Sequence, residues 1–141
     1  MAALLPSPEV VAGDPAAALV VLFALFIGHA LCDFAFQTEI IALGKNRHAD
    51  LSRFFGGKPQ PRGLWVHLLG AHSFIHAGAV WIISGSVLLG LVEFVLHAAI
   101  DFLKCEGMTG FTTDQLLHYG CRILYVLALY LGCSWLTWTP A

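Results

Sequence analysis

Residues 87–104, VLLGLVEFVLHAAIDFLK, form an apolar run that is interrupted at intervals of four by Glu93, His97 and Asp101. A spacing of four places side chains on one face of an α-helix. An ionisable side chain at the centre of a membrane-spanning helix costs about 2.5–3.5 kcal/mol on insertion scales, so it needs a partner or a function. This stretch therefore predicts a membrane helix whose polar face is turned away from lipid.

The composition of the whole chain agrees with a membrane location. Of the 141 residues, 58% are apolar and 11% are charged, whereas a soluble domain has about 45–50% and about 25%. The net charge of -2 leaves no basic surface for nucleic-acid phosphates, so nucleic-acid binding is excluded as a function. The length fits one domain, and we predict a single transmembrane domain over residues 1–141.

Four apolar runs are long enough to cross the hydrocarbon core of a bilayer, which is about 30 Å thick. They cover residues 15–37, 64–83, 87–104 and 113–138. Asp14 and Pro15 suit the N-cap and the first helical position of the first run. The sequence Ser84-Gly85-Ser86 is a turn too short for anything but an antiparallel hairpin. The predicted fold is an all-α membrane protein, a four-transmembrane antiparallel helix bundle.

The loop over residues 38–63 is basic and carries Lys45, Arg47, Arg53, Lys58 and Arg62. The N-terminal tail and the turn at Gly85 carry no Lys or Arg. By the positive-inside rule the basic loop lies in the cytoplasm, and an even number of spans then places both termini outside. Because the tail has no Lys or Arg ahead of the first apolar run, we expect no cleaved signal peptide.

Each predicted span carries ionisable residues four positions apart, which places them on one helix face. These residues are His29 and Asp33, His72 and His76, Glu93, His97 and Asp101, and Asp114 and His118. In the spans that run inward His precedes Asp, and in the last span, which runs outward, Asp precedes His. The helical rise therefore predicts imidazoles from all the spans at one depth, about 9–12 Å from the cytoplasmic ends.

Imidazoles and carboxylates that converge between facing helices are the ligands of metal sites in helical bundles. We predict a divalent-metal site, with zinc as the expected ion and iron, manganese or nickel as alternatives. Its predicted ligands are His29, Asp33, His72, His76, His97, Asp101, Asp114 and His118. This set exceeds the four ligands of one zinc ion. The remaining residues could bind a second metal, orient the ligating imidazoles, or act as acid and base groups. Hydrogen bonding between the helices without a metal is the alternative explanation.

The polar residues stand in motifs that resemble a known family. Residues 29–38 read His-Ala-Leu-Cys-Asp-Phe-Ala-Phe-Gln-Thr, an HxxxDFxxQT element. Further along the chain stand Lys45, the pair His72 and His76, an HxxxDxxK element over residues 97–104 and a DQxxH element over residues 114–118. In this combination the chain resembles small bacterial integral membrane proteins classed as a domain of unknown function. The resemblance implies a compact helical domain in the bacterial cytoplasmic membrane, and it implies no particular activity.

The leading functional hypothesis is a metal-dependent hydrolase whose intramembrane site opens to the cytoplasmic leaflet. A bound metal lowers the pKa of a water molecule towards about 7 and polarises the substrate, while a carboxylate that is not a ligand moves protons. The predicted catalytic residues are Glu93, Asp101 and Lys104. Lys104 and Arg122 are cations near the predicted site, and they suit an anionic lipid or a lipid phosphate as substrate. Snorkelling or pairing with a neighbouring carboxylate is the alternative role of these two cations.

Three other classes of protein fit the same residues. A transporter or channel for divalent metal or protons would line its path with these residues. The outer halves of the spans lack comparable ionisable residues, which argues against a path through one chain. A pore formed by a homo-oligomer would avoid this objection. A membrane cytochrome would hold haem between imidazoles of facing helices. A non-catalytic membrane subunit would use the polar core for stability and the basic loop for anionic lipid headgroups or a partner.

The basic loop generates a prediction about topology. In a variant without the four native cysteines, Ser7→Cys should react with a membrane-impermeant thiol reagent added outside intact cells. Ser52→Cys should not react, because the basic loop faces the cytoplasm. Labelling is read as a mass shift on a gel. Labelling of Ser52→Cys without labelling of Ser7→Cys would reverse the orientation.

Overall fold

The computed structural model describes residues 5–133, which are helical and contain no β-strand. The all-α prediction is therefore confirmed. The α-helices are α1 (Pro8–Val11), α2 (Pro15–Ala30), α3 (Glu39–Gly44), α4 (Leu64–Ser84), α5 (Val87–Cys105) and α6 (Phe111–Tyr130). A π-helical turn, Leu31–Ala35, prolongs α2, and a 3-10 turn, Ser52–Phe55, lies in the loop before α4.

The start of α2 follows the sequence signal, but its end does not. Asp14 Oδ1 accepts hydrogen bonds from Ala16 N at 2.8 Å and Ala17 N at 3.2 Å, which confirms the predicted cap. At the other end the backbone widens, and Phe36 N donates to Leu31 O, five residues back, at 2.8 Å. The helical segment stops at Ala35, short of the predicted end at residue 37, because the chain turns there towards α3.

The four long helices pack in the cyclic order α2, α4, α5, α6. At the start of α2, Gly13 N donates to Tyr130 O at the end of α6 at 2.9 Å, so these two helices are antiparallel. Lys104 near the end of α5 contacts Asp114 near the start of α6, so this pair is antiparallel as well. Gly85, with a left-handed φ of 70°, reverses the chain between α4 and α5. Neighbouring helices therefore alternate in direction around the bundle.

The bounds of α6 differ from the predicted fourth span. The helix begins at Phe111 with Gly110 as its extended N-cap residue, so Thr113, where that span was predicted to begin, lies in the first helical turn. It ends at Tyr130, and Gly132 adopts a left-handed φ of 66° that stops the helix. The predicted span continued to residue 138, and residues 134–138 lie outside the described part of the chain.

The bundle has apolar outer faces, whereas polar groups lie inside it. Phe23, Ile82, Val95 and Leu124, one from each long helix, are 69%, 78%, 63% and 63% exposed. The interior is divided along the bundle axis. One half packs apolar residues such as Val21, Leu25 and Leu129, and the other half encloses histidines and carboxylates. This is the reverse of the ordinary distribution in soluble proteins, in which buried charges are rare.

Among residues 5–133, two helical segments are long and apolar enough to cross a membrane, Pro15–Ala35 and Leu64–Ser84. Helix α5 is of similar length but contains Glu93, Asp101 and Lys104. Helix α6 contains Asp114 and Arg122. By length and composition, two of the four predicted spans therefore qualify as membrane-spanning helices.

The loop between α2 and α4 is folded against one end of the bundle. Gln60 fixes it internally, because its side chain accepts from Leu51 N and donates to Ala49 O. Arg47 donates to Glu106 after α5 at 2.7 Å, and this hydrogen bond holds the pKa of the Glu106 carboxyl below its ordinary value. The loop therefore covers the end of the bundle at which the polar residues lie.

Close packing of α4 and α5 predicts a difference between two glycine substitutions. A Cβ at Gly90 would lie 2.9 Å from the carbonyl oxygen of Ala77 and 3.0 Å from Trp81 Cβ, whereas a Cβ at Gly120 meets nothing within 4 Å. Gly90→Ala should lower the free energy of unfolding by about 1–3 kcal/mol because the two helices must separate. The control Gly120→Ala should be neutral or stabilising by up to about 1 kcal/mol. Thermal unfolding in detergent measures both, and equal effects would contradict the proposed packing constraint.

Candidate metal centre

The structure brings all eight predicted ligands together between α2, its π-helical turn, α4, α5 and α6. The five imidazoles are at most 2% exposed, and Asp101 and Asp114 are 1% and 0% exposed. The Asp33 side chain is 9% exposed and lies at the edge of the cluster. These eight side chains therefore lie together inside the described part of the bundle.

The imidazole rings pack directly on one another in the middle of this cluster. The ring centroids of His76 and His97 are 3.7 Å apart, those of His97 and His118 are 4.2 Å apart, and those of His72 and His76 are 4.7 Å apart. Histidines from α4, α5 and α6 therefore form one continuous stack, with His29 of α2 at its side, 5.3 Å from both His76 and His118.

The donor atoms of the cluster form three groups in which all ligand atoms lie within 4.8 Å of one another. The groups are Asp33, His72, His76 and His97; Glu93, His97 and His118; and Asp101, Asp114 and His118. The first and third groups have no residue in common, so they can hold separate ions. We call them the His-rich group and the Asp-rich group.

Several donor atoms in these groups have no hydrogen-bond partner among the described residues although they are buried. They include His76 Nε2, His97 Nε2, both ring nitrogens of His118 and Asp114 Oδ1. An unpaired buried polar atom costs about 1–3 kcal/mol, so such atoms are rare in folded proteins. Their concentration in one place leaves a set of buried donor atoms that could hold a metal ion.

Glu93 orients His97. Glu93 Oε1 lies 3.0 Å from His97 Nδ1, and an ionised carboxylate can only accept, so the imidazole N–H donates from Nδ1. The other ring nitrogen, Nε2, then presents its lone pair to the cluster. Pairing of a carboxylate with the far nitrogen of an imidazole is the usual way in which proteins orient histidine ligands of metals.

Arg122 and Tyr125 close the inner side of the cluster. Arg122 donates to both oxygens of Glu93, at 2.9 Å from Nη1 and 2.6 Å from Nη2. Tyr125 Oη donates to Glu93 Oε2 at 2.8 Å. With His97 on Oε1, both carboxylate oxygens of Glu93 are engaged. Arg122 therefore neutralises Glu93 deep in the bundle, at 1% exposure, and does not reach the rim.

His29 belongs to none of the three donor groups. Its Nδ1 lies 3.3 Å from Arg122 Nη2, which can only donate, and its Nε2 lies 3.2 Å from Gln115 Oε1. Both ring nitrogens are thus occupied by neighbouring side chains. A role for His29 as a ligand stays a prediction, and its contacts are those of a residue that positions Gln115.

Two glutamines, to which the sequence reasoning gave no role, hold Asp33 in place. Gln115 Nε2 donates to Asp33 Oδ2 at 2.7 Å, and Gln37 Nε2 donates to Asp33 Oδ1 at 3.3 Å. The π-helical turn, which places Asp33 between them, is a feature often found at functional sites. Both glutamines belong to the HxxxDFxxQT and DQxxH motifs, so the sequence contained a signal that could have found them. The spacing of the motifs did not show which residue each glutamine would contact.

Two lysines contact the aspartates of the Asp-rich group. Lys45, from the loop after α3, donates to Asp101 Oδ2 at 2.7 Å and is 5% exposed. Lys104 donates to Asp114 Oδ2 at 2.7 Å, with its side chain 28% exposed. Asp101 also lies 3.5 Å from His72 Nε2 and 3.6 Å from His97 Nε2, so it stands between the two donor groups.

The fold and the cluster define a helical bundle with a buried histidine and carboxylate centre. The chain matches the family model described as "Protein of unknown function (DUF3307)" over residues 21–141, and it belongs to this family. The matched region includes every residue of the cluster. No curated protein and no solved structure matches the chain significantly.

The burial of the Arg122–Glu93 pair predicts a large effect of breaking it. Arg122→Met leaves the Glu93 carboxylate buried without its cation, and the free energy of unfolding should fall by about 3–5 kcal/mol. Arg53→Met is the matched control, because Arg53 contacts Glu39 at the same 2.6 Å but the two side chains are 57% and 65% exposed.

The control should change the free energy by less than about 1 kcal/mol, as exposed pairs do. Chemical unfolding in detergent gives both values. Similar small effects for the two variants would show that the buried pair does not stabilise the bundle.

Proposed function

We propose that the protein is a metal-binding integral membrane protein that acts as a metal-dependent hydrolase. The four long helices have 16 to 21 residues, and α2 with its π-helical turn has 21. A span needs about 17–25 residues. The apolar outer faces of all four helices support four membrane spans, because in water they would form an exposed apolar surface far larger than monomeric proteins tolerate.

The proposed orientation follows the basic residues. The loop with Lys45, Arg47 and Arg53 covers the polar end of the bundle, and such loops face the cytoplasm in bacterial membranes. Both termini would then lie outside the cytoplasmic membrane. The candidate metal centre would lie in the cytoplasmic half of the membrane.

The observation that carries the metal proposal is the spacing of donor atoms in the His-rich group. Asp33 Oδ1 lies 3.3 Å from His72 Nε2 and 3.9 Å from His76 Nε2. Ligands at about 2.0–2.2 Å from a tetrahedral zinc ion are about 3.4 Å from one another. The two separations are therefore close to the edge length of a zinc coordination tetrahedron, and both are too long for strong hydrogen bonds.

A hydrogen-bonded polar core explains this arrangement less well. In such a core each ring nitrogen would have a partner, but His76 Nε2 and His97 Nε2 have none among the described residues. The stacked rings of His76 and His97, 3.7 Å apart, also supply no hydrogen bond between α4 and α5. An ion between the ring nitrogens and Asp33 would satisfy these atoms together.

The donor chemistry favours zinc. Three imidazoles and one carboxylate are typical zinc ligands, while iron, manganese and nickel accept the same set. None of the three donor groups contains a cysteine, which argues against ions that require thiolates.

The surrounding residues have distinct proposed roles. When bound, the ion supplies a Lewis acid and a water molecule of lowered pKa. Glu93 positions His97, since its oxygens are engaged by Arg122, Tyr125 and His97 itself. Asp101 is the proposed proton acceptor, because it stands beside both His72 and His97 and one of its oxygens has only long contacts.

The interior of the described bundle favours a hydrolase over a transporter or channel. Beyond Arg122 the described core packs apolar side chains such as Val21, Val80 and Leu129. Its buried polar side chains there include Ser84 and Ser86, and the buried histidines and carboxylates do not continue to that end among residues 5–133. The imidazole stack also disfavours haem, because ring centroids 3.7–4.2 Å apart leave no room for a macrocycle between His76, His97 and His118.

The metal proposal predicts an effect of chelation on stability. Protein purified in detergent with zinc should retain about one or two equivalents. A chelator should then lower the melting temperature, because an ion at a hundred times its Kd stabilises by about 2.7 kcal/mol. His72→Ala should lose the metal and the response to chelator.

The control is His67→Ala, an exposed histidine on the same helix as His72. It should retain metal and respond to chelator as the wild type does. Elemental analysis and thermal unfolding give the two readouts. A wild type without metal, whose melting temperature is unchanged by chelator, would leave the hydrogen-bonded polar core as the explanation.

A further inference from the structure

A cavity of about 340 Å³ lies beside the metal centre, between the π-helical turn, α3 and the ends of α5 and α6. This volume falls within the range of about 300–1,000 Å³ found for sites that bind small organic molecules. Asp33 of the His-rich group forms part of its wall, together with Gln37, Lys45 and Lys104. The cavity therefore adjoins the His-rich group at Asp33, and its two lysines contact the aspartates of the Asp-rich group.

The two lysines are fixed at the boundary between the cavity and the metal centre. Each ammonium group makes one hydrogen bond among the described residues, Lys45 to Asp101 and Lys104 to Asp114. An ammonium group has three donor hydrogens, so each lysine keeps donors for a molecule in the cavity. Because the aspartates hold both side chains in place, these donors are already oriented.

The charges of the site favour an anion once a metal is bound. Glu93 and Arg122 neutralise each other. Histidines bind a metal as neutral imidazoles, so the charge is set by the other groups. Three aspartates against two lysines leave one negative charge, and one divalent ion makes the site positive by one. A positive charge inside a bundle is costly unless an anion accompanies it.

The mouth of the cavity is lined by aromatic rings. Phe34 and Phe111 belong to the wall and are 58% and 61% exposed. Lys104 Nζ lies 5.2 Å from the ring centroid of Phe111, so charge and apolar surface adjoin at the opening. This combination suits a molecule with an anionic head and an apolar remainder.

We propose that this cavity is the substrate pocket and that it binds the phosphate group of a phosphate ester between Lys45, Lys104 and the metal. This proposal rests on the hydrolase function proposed above. In the reaction the oxygen of water forms a bond to phosphorus and the ester P–O bond breaks. The proton that Asp101 takes from the water is returned to the departing alkoxide. The phosphate belongs either to a lipid headgroup or to a soluble ester, and the two share this chemistry.

The test measures binding of inorganic phosphate to the zinc-loaded protein in detergent by calorimetry, after free zinc has been removed. The wild type should bind phosphate, and Lys104→Met should bind it at least about tenfold more weakly because a charge-assisted hydrogen bond is lost. Lys104→Arg should retain most of the affinity. The control Lys58→Met, an exposed lysine that does not line the cavity, should bind as the wild type does.

Metal content is measured in the same samples and separates the two proposals. A wild type that retains neither zinc nor iron, manganese or nickel overturns the metal-dependent function itself. A zinc-loaded wild type that binds no phosphate, or a zinc-loaded Lys104→Met that binds it as the wild type does, overturns the phosphate pocket alone. If Lys104→Met fails to fold, phosphate binding by the wild type and by Lys104→Arg still decides the question.

A second arm identifies the source of the phosphate group. The wild type is placed in nanodiscs of phosphatidylcholine with or without phosphatidic acid, and the affinity for inorganic phosphate is compared. Weaker binding in the presence of phosphatidic acid supports the pocket with a lipid headgroup as its occupant. Equal affinity supports the pocket with a soluble phosphate ester as its occupant.

Discussion

The ion pair between Arg122 and Glu93 joins α5 to α6 inside the bundle, and the geometry of the candidate metal centre depends on it. The guanidinium keeps Glu93 ionised, and the ionised carboxylate accepts the Nδ1 hydrogen of His97. The His97 ring lies between the rings of His76 and His118, and its Nε2 lies 3.6 Å from Asp101 Oδ2. One charge pair in an apolar interior thus determines which nitrogen of the central histidine is available, because a buried carboxylate must be fully hydrogen-bonded.

The bundle has an apolar half and a polar half along its axis, and the two halves contribute differently to stability and to the candidate site. The half with Val21, Leu25 and Leu129 is packed with apolar side chains and holds the four helices together. The half with the histidines contains buried polar atoms that have no hydrogen-bond partner within residues 5–133, and such atoms cost free energy in a folded chain. The apolar half therefore offsets a site that is unfavourable by itself, which is a common relation between a rigid scaffold and a functional site.

The sequence located the cluster better than it assigned roles within it. A spacing of four places two side chains on one helix face whatever the rest of the fold does, so the pairs on each helix could be read directly. The partners across helices could not, because they depend on rotation and register of packed helices. Lys45 shows this limit, since it comes from a loop without regular periodicity and yet contacts Asp101 on α5. Arg122 shows it too, because its sequence position placed it near the site but did not show that its guanidinium would pair with Glu93.

The sequence by itself determined the helical class, the start of α2 at Asp14, the reversal at Gly85 and the helix faces that carry the polar residues. These features depend on local hydrogen bonding and on helical periodicity, which neighbouring residues specify. Only the tertiary structure decided that Asp33 is aimed by a π-helical turn, that Glu93 is engaged by Arg122 and Tyr125, and that a cavity with two lysines adjoins the cluster. Such features arise where several helices meet, and their geometry is set by packing between residues far apart in the chain.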